Sequence, residues 1–289
     1  MGSRLRGNHG MGKILVTGAS GLIGRAMVAD LNDSHDVVAL SRRRPGPEDP
    51  WIQGSFAHFE DLVTMDDHAF DAVIHLAAVT GGCAERDGIL VNVEGTRCLM
   101  RYLSERGCRK FVLASSIAAV GFQSVAFRPL EMPIPDEHPC LDRDGYGVSK
   151  YLMEEVSRYV QRQVADLDVI NLRLSSVRPD DDLPPLHRVG PLGAWSLGGI
   201  TMMALSDAVR AFRLAAESDH VPGVRVMNAA GPRSWVADPV ADILQNWWGN
   251  DVDVSYFREG EHLFDGVYDV RRIKDEIGFE AAVLPAQAE

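Results

Sequence analysis

Tyr146 and Lys150 stand four residues apart in the segment Tyr146-Gly147-Val148-Ser149-Lys150. On a helix, that spacing puts both side chains on one face. A free phenol titrates near pH 10, too high to exchange protons at neutrality. An ammonium about 4 Å away, at an effective dielectric near 20, favours the phenolate by roughly 4 kcal/mol, or about three pH units at most. Such a pair can serve as a general acid in one direction and a base in the other. The pattern alone is weak, because many helices pack an aromatic ring beside a lysine stem. Its weight comes from what precedes it.

Upstream, Thr17 to Gly24 reads TGASGLIG, with Gly18, Gly21 and Gly24 spaced three apart. The loop follows an apolar run, Lys13 to Thr17, and opens a segment in which Ile23, Met27 and Leu31 recur every four residues. Strand, glycine loop and helix in that order form the context of a dinucleotide cradle. The first glycine permits a tight turn, the second admits a pyrophosphate, and the third lets helix pack on sheet. Ser20, Leu22 and Ile23 then present backbone N–H groups at the positive end of the helix.

These residues need elements to hold them. Val37 to Leu40, Ala72 to Leu76, Phe111 to Ala114 and Val169 to Leu174 are further short apolar runs, and Arg225 to Asn228 closes the series. Helical segments span Asn92 to Glu105 and Tyr146 to Ala165. Strands alternating with helices predict an α/β fold with a parallel sheet covered on both faces. After Arg178 the texture changes: Pro179, Pro184, Pro185 and Pro191 break the chain. The expected organisation is an extension or cloning remnant over residues 1–10, with Met11 as the natural start. A dinucleotide-binding domain follows over 11–178. Residues 179–289 form mainly a small substrate-binding lobe, with elements returning to the sheet.

The 289 residues are 46% apolar and 24% charged, with a formal net charge of -12. This acidity argues against nucleic acid and anionic membrane surfaces as partners. Cys83, Cys98, Cys108 and Cys140 form no CxxC pair, and the nine histidines form no HExxH spacing, so no metal site is expected. The cysteines read as reduced thiols of a cytoplasmic protein.

The GxxGxxG loop preceded by threonine, together with YxxxK, resembles the short-chain dehydrogenase/reductase superfamily. Its extended branch, the epimerase/dehydratase-like one, is indicated by Ala114-Ser115-Ser116 through Gly121, which is similar to that branch's SSxxVYG segment. His75-Leu76-Ala77-Ala78 and Asn92-Val93-Glu94-Gly95-Thr96 resemble its HLAA and NVxGT segments, and Ser176 to Pro179 is a degraded NVYGP. The resemblance runs from Met11 almost to the C-terminus. It implies a doubly wound, Rossmann-type sheet and a homodimer paired through the two long helices. It implies catalysis by Ser116, Tyr146 and Lys150, with Ser116 holding the substrate oxygen. Leu76, Ala77, Ala78, Asn92 and Val177 are implied cofactor neighbours, and Phe56 takes the position of the family's Asp-Leu contact near the adenine.

The second strand ends in Ser41-Arg42-Arg43 where an acidic residue would hold the ribose hydroxyls of NAD. Guanidinium groups pair with a 2′-phosphate, so NADP is preferred over NAD. Ile117 and Ala118 replace the Asp-Glu pair that dehydratases of this branch use to eliminate water, which argues against dehydration. The expectation is an oxidoreductase moving hydride between nicotinamide and the carbonyl or alcohol of a small or sugar-like substrate. A nucleotide-sugar epimerase with retained NAD is the alternative. A non-catalytic NADP-binding regulator comes third.

Overall fold

A computed structural model describes residues 12–46, 50–121, 127–141, 144–188 and 197–285. The expectations for Met11, the N-terminal extension and Pro191 lie outside these residues. In chain order the strands are β1 (Lys13–Thr17), β2 (Asp36–Ser41), β3 (Trp51–Gln53), β4 (Ala72–His75), β5 (Lys110–Ser116), β6 (Asp168–Leu174), β7 (Ser176–Arg178), β8 (Met202–Ala204) and β9 (Gly223–Ala229). The helices are α1 (Leu22–Leu31), α2 (Phe59–Val63), α3 (Glu85–Asp87), α4 (Thr96–Glu105), α5 (Gly145–Gln163), α6 (Leu197–Ile200), α7 (Leu205–Glu217), α8 (Val240–Trp248) and α9 (Arg271–Ile277).

Seven strands make one parallel sheet in the order β3-β2-β1-β4-β5-β6-β9. The order reverses beside β1, where an open α/β sheet forms its ligand crevice. The central strands read as near-continuous apolar runs because both faces are covered. On one face Met27 and Leu31 of α1, Phe212 of α7 and Ile273 of α9 pack over the sheet. On the other, Leu99 and Leu103 of α4 and Met153 and Val160 of α5 do so. A third apolar cluster, including Ile134, Trp247 and Phe257, fills the small lobe, which also carries the two-stranded β7-β8 sheet.

Three features differ from the sequence expectation. Strand β3, only Trp51–Gln53, is too short to show an alternation. The helix expected to start at Asn92 instead begins as a π-helical segment, Gly88–Gly95, that runs directly into α4. Its wider turn lies next to the site, a common location for such segments. Helix α5 ends at Gln163, short of the expected Ala165. After β8, α7 packs on the large sheet and β9 pairs at its edge.

Candidate active site

The glycine loop forms as its spacing requires. Gly18 has φ of +69°, and a Cβ there would lie 2.7 Å from the Ala77 nitrogen. A Cβ on Gly24 would fall 2.2 Å from the Gly18 carbonyl oxygen, so helix packing demands this glycine. A Cβ on Gly21 would meet only that same oxygen, at 3.2 Å; its bareness serves close approach from outside more than internal packing. Gly21 is the N-cap of α1 and no side chain caps the helix, whose first turn holds no acidic residue. The leading N–H groups and the positive helix end therefore face the loop uncompensated, as an anion site needs.

Above this turn opens a cleft of about 570 Å³. Of the expected cofactor residues, Gly18, Ser20, Gly21, Leu22, Ile23 and Gly24 line one wall. Leu76, Ala77, Ala78 and Val177 line the opposite side, and Ser41, Arg42 and Phe56 the far end. Ser55 lines the same end as Phe56. The sequence reading missed Gly54, Ala57 and His58 there, and Val79, Thr80, Val91 and Ala114 elsewhere in the cleft. The first three follow strand β3, so recognising β3 would have located them. The cleft's size, its bare helix terminus and a far end without carboxylates among the described residues fit a dinucleotide.

Arg43 is exposed and does not line the cleft. The Ser41 hydroxyl is spent on the Arg43 carbonyl, 2.5 Å away, and receives the Trp51 indole at 3.2 Å. Arg44 lies over the same indole, 5.9 Å from the ring centroid. Arg42 is thus the cation of this turn that borders the cleft.

Asn92, expected beside the cofactor, is not among the residues lining the cleft. It is fully buried. Its carbonyl oxygen accepts from the Val79 nitrogen at 2.8 Å, and its amide donates to the Val79 oxygen at 3.0 Å and to Ser149 Oγ at 2.9 Å. Ser149 in turn donates to the Tyr146 carbonyl at 2.7 Å. Asn92 clamps the cleft loop to α5, with both amide hydrogens taken. His75 is spent inside the fold: its ring nitrogens meet Thr17 Oγ1 at 2.7 Å and Thr96 Oγ1 at 3.0 Å, and Phe56 packs edge-on at 4.7 Å.

Ser116, Tyr146 and Lys150 come together at the end of β5. Ser116 Oγ accepts from the Ala118 nitrogen at 3.1 Å, which leaves its proton to donate. Its hydroxyl is close enough to the Tyr146 phenol to favour the phenolate. Tyr146 sits in the first turn of α5, fixed by Asp144, whose Oδ1 accepts from the Tyr146 and Gly147 nitrogens at 2.8 Å each. Lys150, 3% exposed, lies one turn on, with Nζ 5.8 Å from the phenol ring centroid.

The electrostatics differ from the simple pair argument. Burial raises the phenol above its ordinary value, and the Ser116 hydroxyl only partly offsets this. Lys150 donates to the Ala114 carbonyl at 2.7 Å, not to the phenol. Burial pushes its amine down to about 8, against the attraction of Glu154 and Cys83. A tyrosine so placed is a proton donor until a further positive charge arrives.

Comparison with known proteins agrees with this geometry. Residues 14–178 match the model of the NAD dependent epimerase/dehydratase family. The chain is 30% identical over 265 residues to the NAD-dependent glucose-6-phosphate dehydrogenase of Haloferax volcanii, covering 86% of this chain and 97% of that one. It is 29% identical over 183 residues to UDP-glucose 4-epimerase 2 of Arabidopsis thaliana, spanning only 50% of that protein and 55% of this chain. A short-chain dehydrogenase/reductase superfamily protein from Agrobacterium tumefaciens, solved with bound NAD, superposes with a TM-score of 0.68 at 25% identity over 94% of this chain and 93% of that one. The chain therefore belongs to the NAD-dependent epimerase/dehydratase family, within the extended short-chain dehydrogenases/reductases.

Proposed function

We propose that this protein transfers hydride between a nicotinamide cofactor and a carbonyl or alcohol carbon of a small or sugar-like substrate, with Tyr146 as the acid/base. The observation that carries the reading is that Lys150, bonded to the carbonyl of the cleft-lining Ala114 at the end of β5, stands one helical turn from Tyr146. Bound there, the cofactor supplies the hydride acceptor or donor and, when oxidised, a positive ring. Ser116 donates to the substrate oxygen and directs it at the phenol. Tyr146 protonates that oxygen in reduction, or takes its proton in oxidation once a cation lowers the phenol. Lys150 places a buried positive charge one helical turn below.

Dehydrogenation is supported by the 30% identity to the Haloferax dehydrogenase, which holds over nearly the whole of that enzyme. Arg42 at the cleft and the absence of a carboxylate at Ser41 favour NADP, although that dehydrogenase is named for NAD. A homodimer through the 88–105 segment and α5 is supported by exposed Leu90 and Tyr159. Four free thiols suit a reducing cytoplasm.

The test releases any co-purified nucleotide by denaturation, titrates NADPH and NADH, then screens aldoses, sugar phosphates and simple alcohols for change in nicotinamide absorbance. NADPH exchange with turnover is expected. Tightly retained NAD would favour an epimerase. Tyr146→Phe should bind cofactor normally and lose turnover; full turnover in that variant overturns the acid/base assignment.

A further inference from the structure

Three consecutive residues of β5 each face a different residue of α5. Lys150 donates to the Ala114 carbonyl, Ser115 donates to Glu154 Oε1 at 2.6 Å, and Ser116 neighbours the Tyr146 phenol. Residues 146, 150 and 154 form one stripe down the helix. Two rungs of this ladder belong to the proton-transfer residues. The third ends on a carboxylate that is fully buried.

Glu154 is not a capping or surface acid. Its Oε1 also accepts from Arg173 Nε at 2.9 Å, and its Oε2 from Arg173 Nη2 at 2.9 Å, a two-pronged pairing between groups 0% and 3% exposed. Arg173 lies beside Ser115 in the sheet register, and Asn228 lies beside Arg173 on the next strand. Arg173 Nη1 reaches on to the Asp136 carbonyl at 2.8 Å, and Asn228 Nδ2 to the Ile134 carbonyl at 3.0 Å. The row thus joins the catalytic helix to residues 134–136, which pair with the small lobe through Val267 and Tyr268.

Stability alone gives a weak account of such a pair, since apolar replacements of similar volume are commonly neutral or better. We infer that Glu154 is a positioning residue for hydride transfer: it locks α5 in register with the strand end that presents Ser116, and its carboxylate is the buried counter-charge of Lys150. The inference rests on the oxidoreductase reading given above. The other titratable groups facing Lys150 are Tyr146 on α5, His75 on β4 and Cys83 in the loop after β4. Glu154 is the acid among them that shares its helix face.

Two variants test this beside Tyr146→Phe. Glu154→Gln keeps the shape but leaves Arg173 unpaired. Glu154→Gln/Arg173→Met removes both charges and so guards against a folding defect. Circular dichroism and cofactor titration should show folded protein with unchanged cofactor affinity. The double variant should lose roughly ten- to hundredfold in kcat with little change in KM. The high-pH limb of its kcat/KM profile should move down by about one unit, because Lys150 has lost its attracting charge. A double variant with unaltered kcat and an unmoved limb, while Tyr146→Phe is inactive, overturns the inference and leaves the proposed function standing. An active Tyr146→Phe overturns both.

Discussion

Lys150 donates its proton to the carbonyl of Ala114, 2.7 Å away, while its nitrogen stays 5.8 Å from the centre of the Tyr146 ring. The ammonium is tied to the sheet and works on the phenol from a distance. Burial has already pulled this amine down to about 8. Its charge is full at low pH and is lost as pH rises through that value. If the charge is required, kcat/KM in either direction falls above pH about 8. Lys150→Met should fold, since it removes a buried charge and one hydrogen bond worth about 1 kcal/mol. It should lose about 10²- to 10⁴-fold in kcat, the usual range for assisted proton transfer. Steady-state kinetics across pH 6–10 with the substrate found by screening decides this; turnover in Lys150→Met within a few-fold of wild type would remove the lysine from the mechanism.

Arg42 should read the cofactor's ribose. It borders the cleft, whereas Arg43 points elsewhere and Arg44 is placed over Trp51. A charge-assisted contact to a phosphate contributes about 1.5–3 kcal/mol. Arg42→Ser should therefore weaken NADPH roughly ten- to hundredfold and leave NADH nearly unchanged, by fluorescence titration. Arg43→Ser should change neither. Equal weakening of both cofactors by Arg42→Ser would show that this turn does not discriminate between them.

The glycine spacing, YGVSK and the paired serines make the cradle and the three residues proposed for proton transfer legible in the amino-acid sequence. These signals lie in short stretches whose local conformation is dictated by the residues themselves. What escapes depends on contacts across the chain. Asn92 reads as a cofactor ligand because its segment carries the right pattern; that its amide is consumed by Val79 emerges only when the loop after β4 is in place. Glu154 and Arg173 do leave a trace, a glutamate on the stripe of Tyr146 and Lys150 and an arginine inside the apolar run of β6. Charges at positions where the pattern demands burial are the signal of a paired interior group. The phenol's raised proton affinity leaves no trace, since it follows from how deeply the ring is set.

Asn92→Ala should separate clamp from ligand. Its removal leaves the Val79 nitrogen and oxygen without their partner and frees Ser149 Oγ from its donor. Unsatisfied buried groups cost about 1–3 kcal/mol each, partly recovered when water enters. A fall in Tm with a raised cofactor Kd and a smaller loss in kcat is expected, because the loop lining the cleft is loosened while Ser116 and Tyr146 keep their own supports. Wild-type Tm together with a collapsed cofactor affinity would instead mark Asn92 as a direct contact.

His75 sets an acid limit on the fold. Burial, reinforced by the Lys150 charge, pushes its imidazole from the ordinary 6.5 down to about 3. The ring stays neutral in the native state and bridges Thr17 to Thr96. Below pH 6.5 the unfolded chain takes up a proton that the folded chain refuses. Stability present above 6.5 is therefore lost, at about 1.4 kcal/mol per pH unit, as pH falls towards 3. Asp136 works in the opposite sense: burial raises its carboxyl to about 6, so between that value and the ordinary 3.8 the folded chain gains relative stability as pH falls. The two overlap, and His75→Gln isolates the first. Denaturant unfolding at pH 7 should show a less stable variant, since one amide cannot bridge both threonines. Between pH 6.5 and 4.5 its stability should decline less steeply than that of the wild type. Parallel curves for the two proteins across that window would mean that the imidazole accepts a proton inside the folded core.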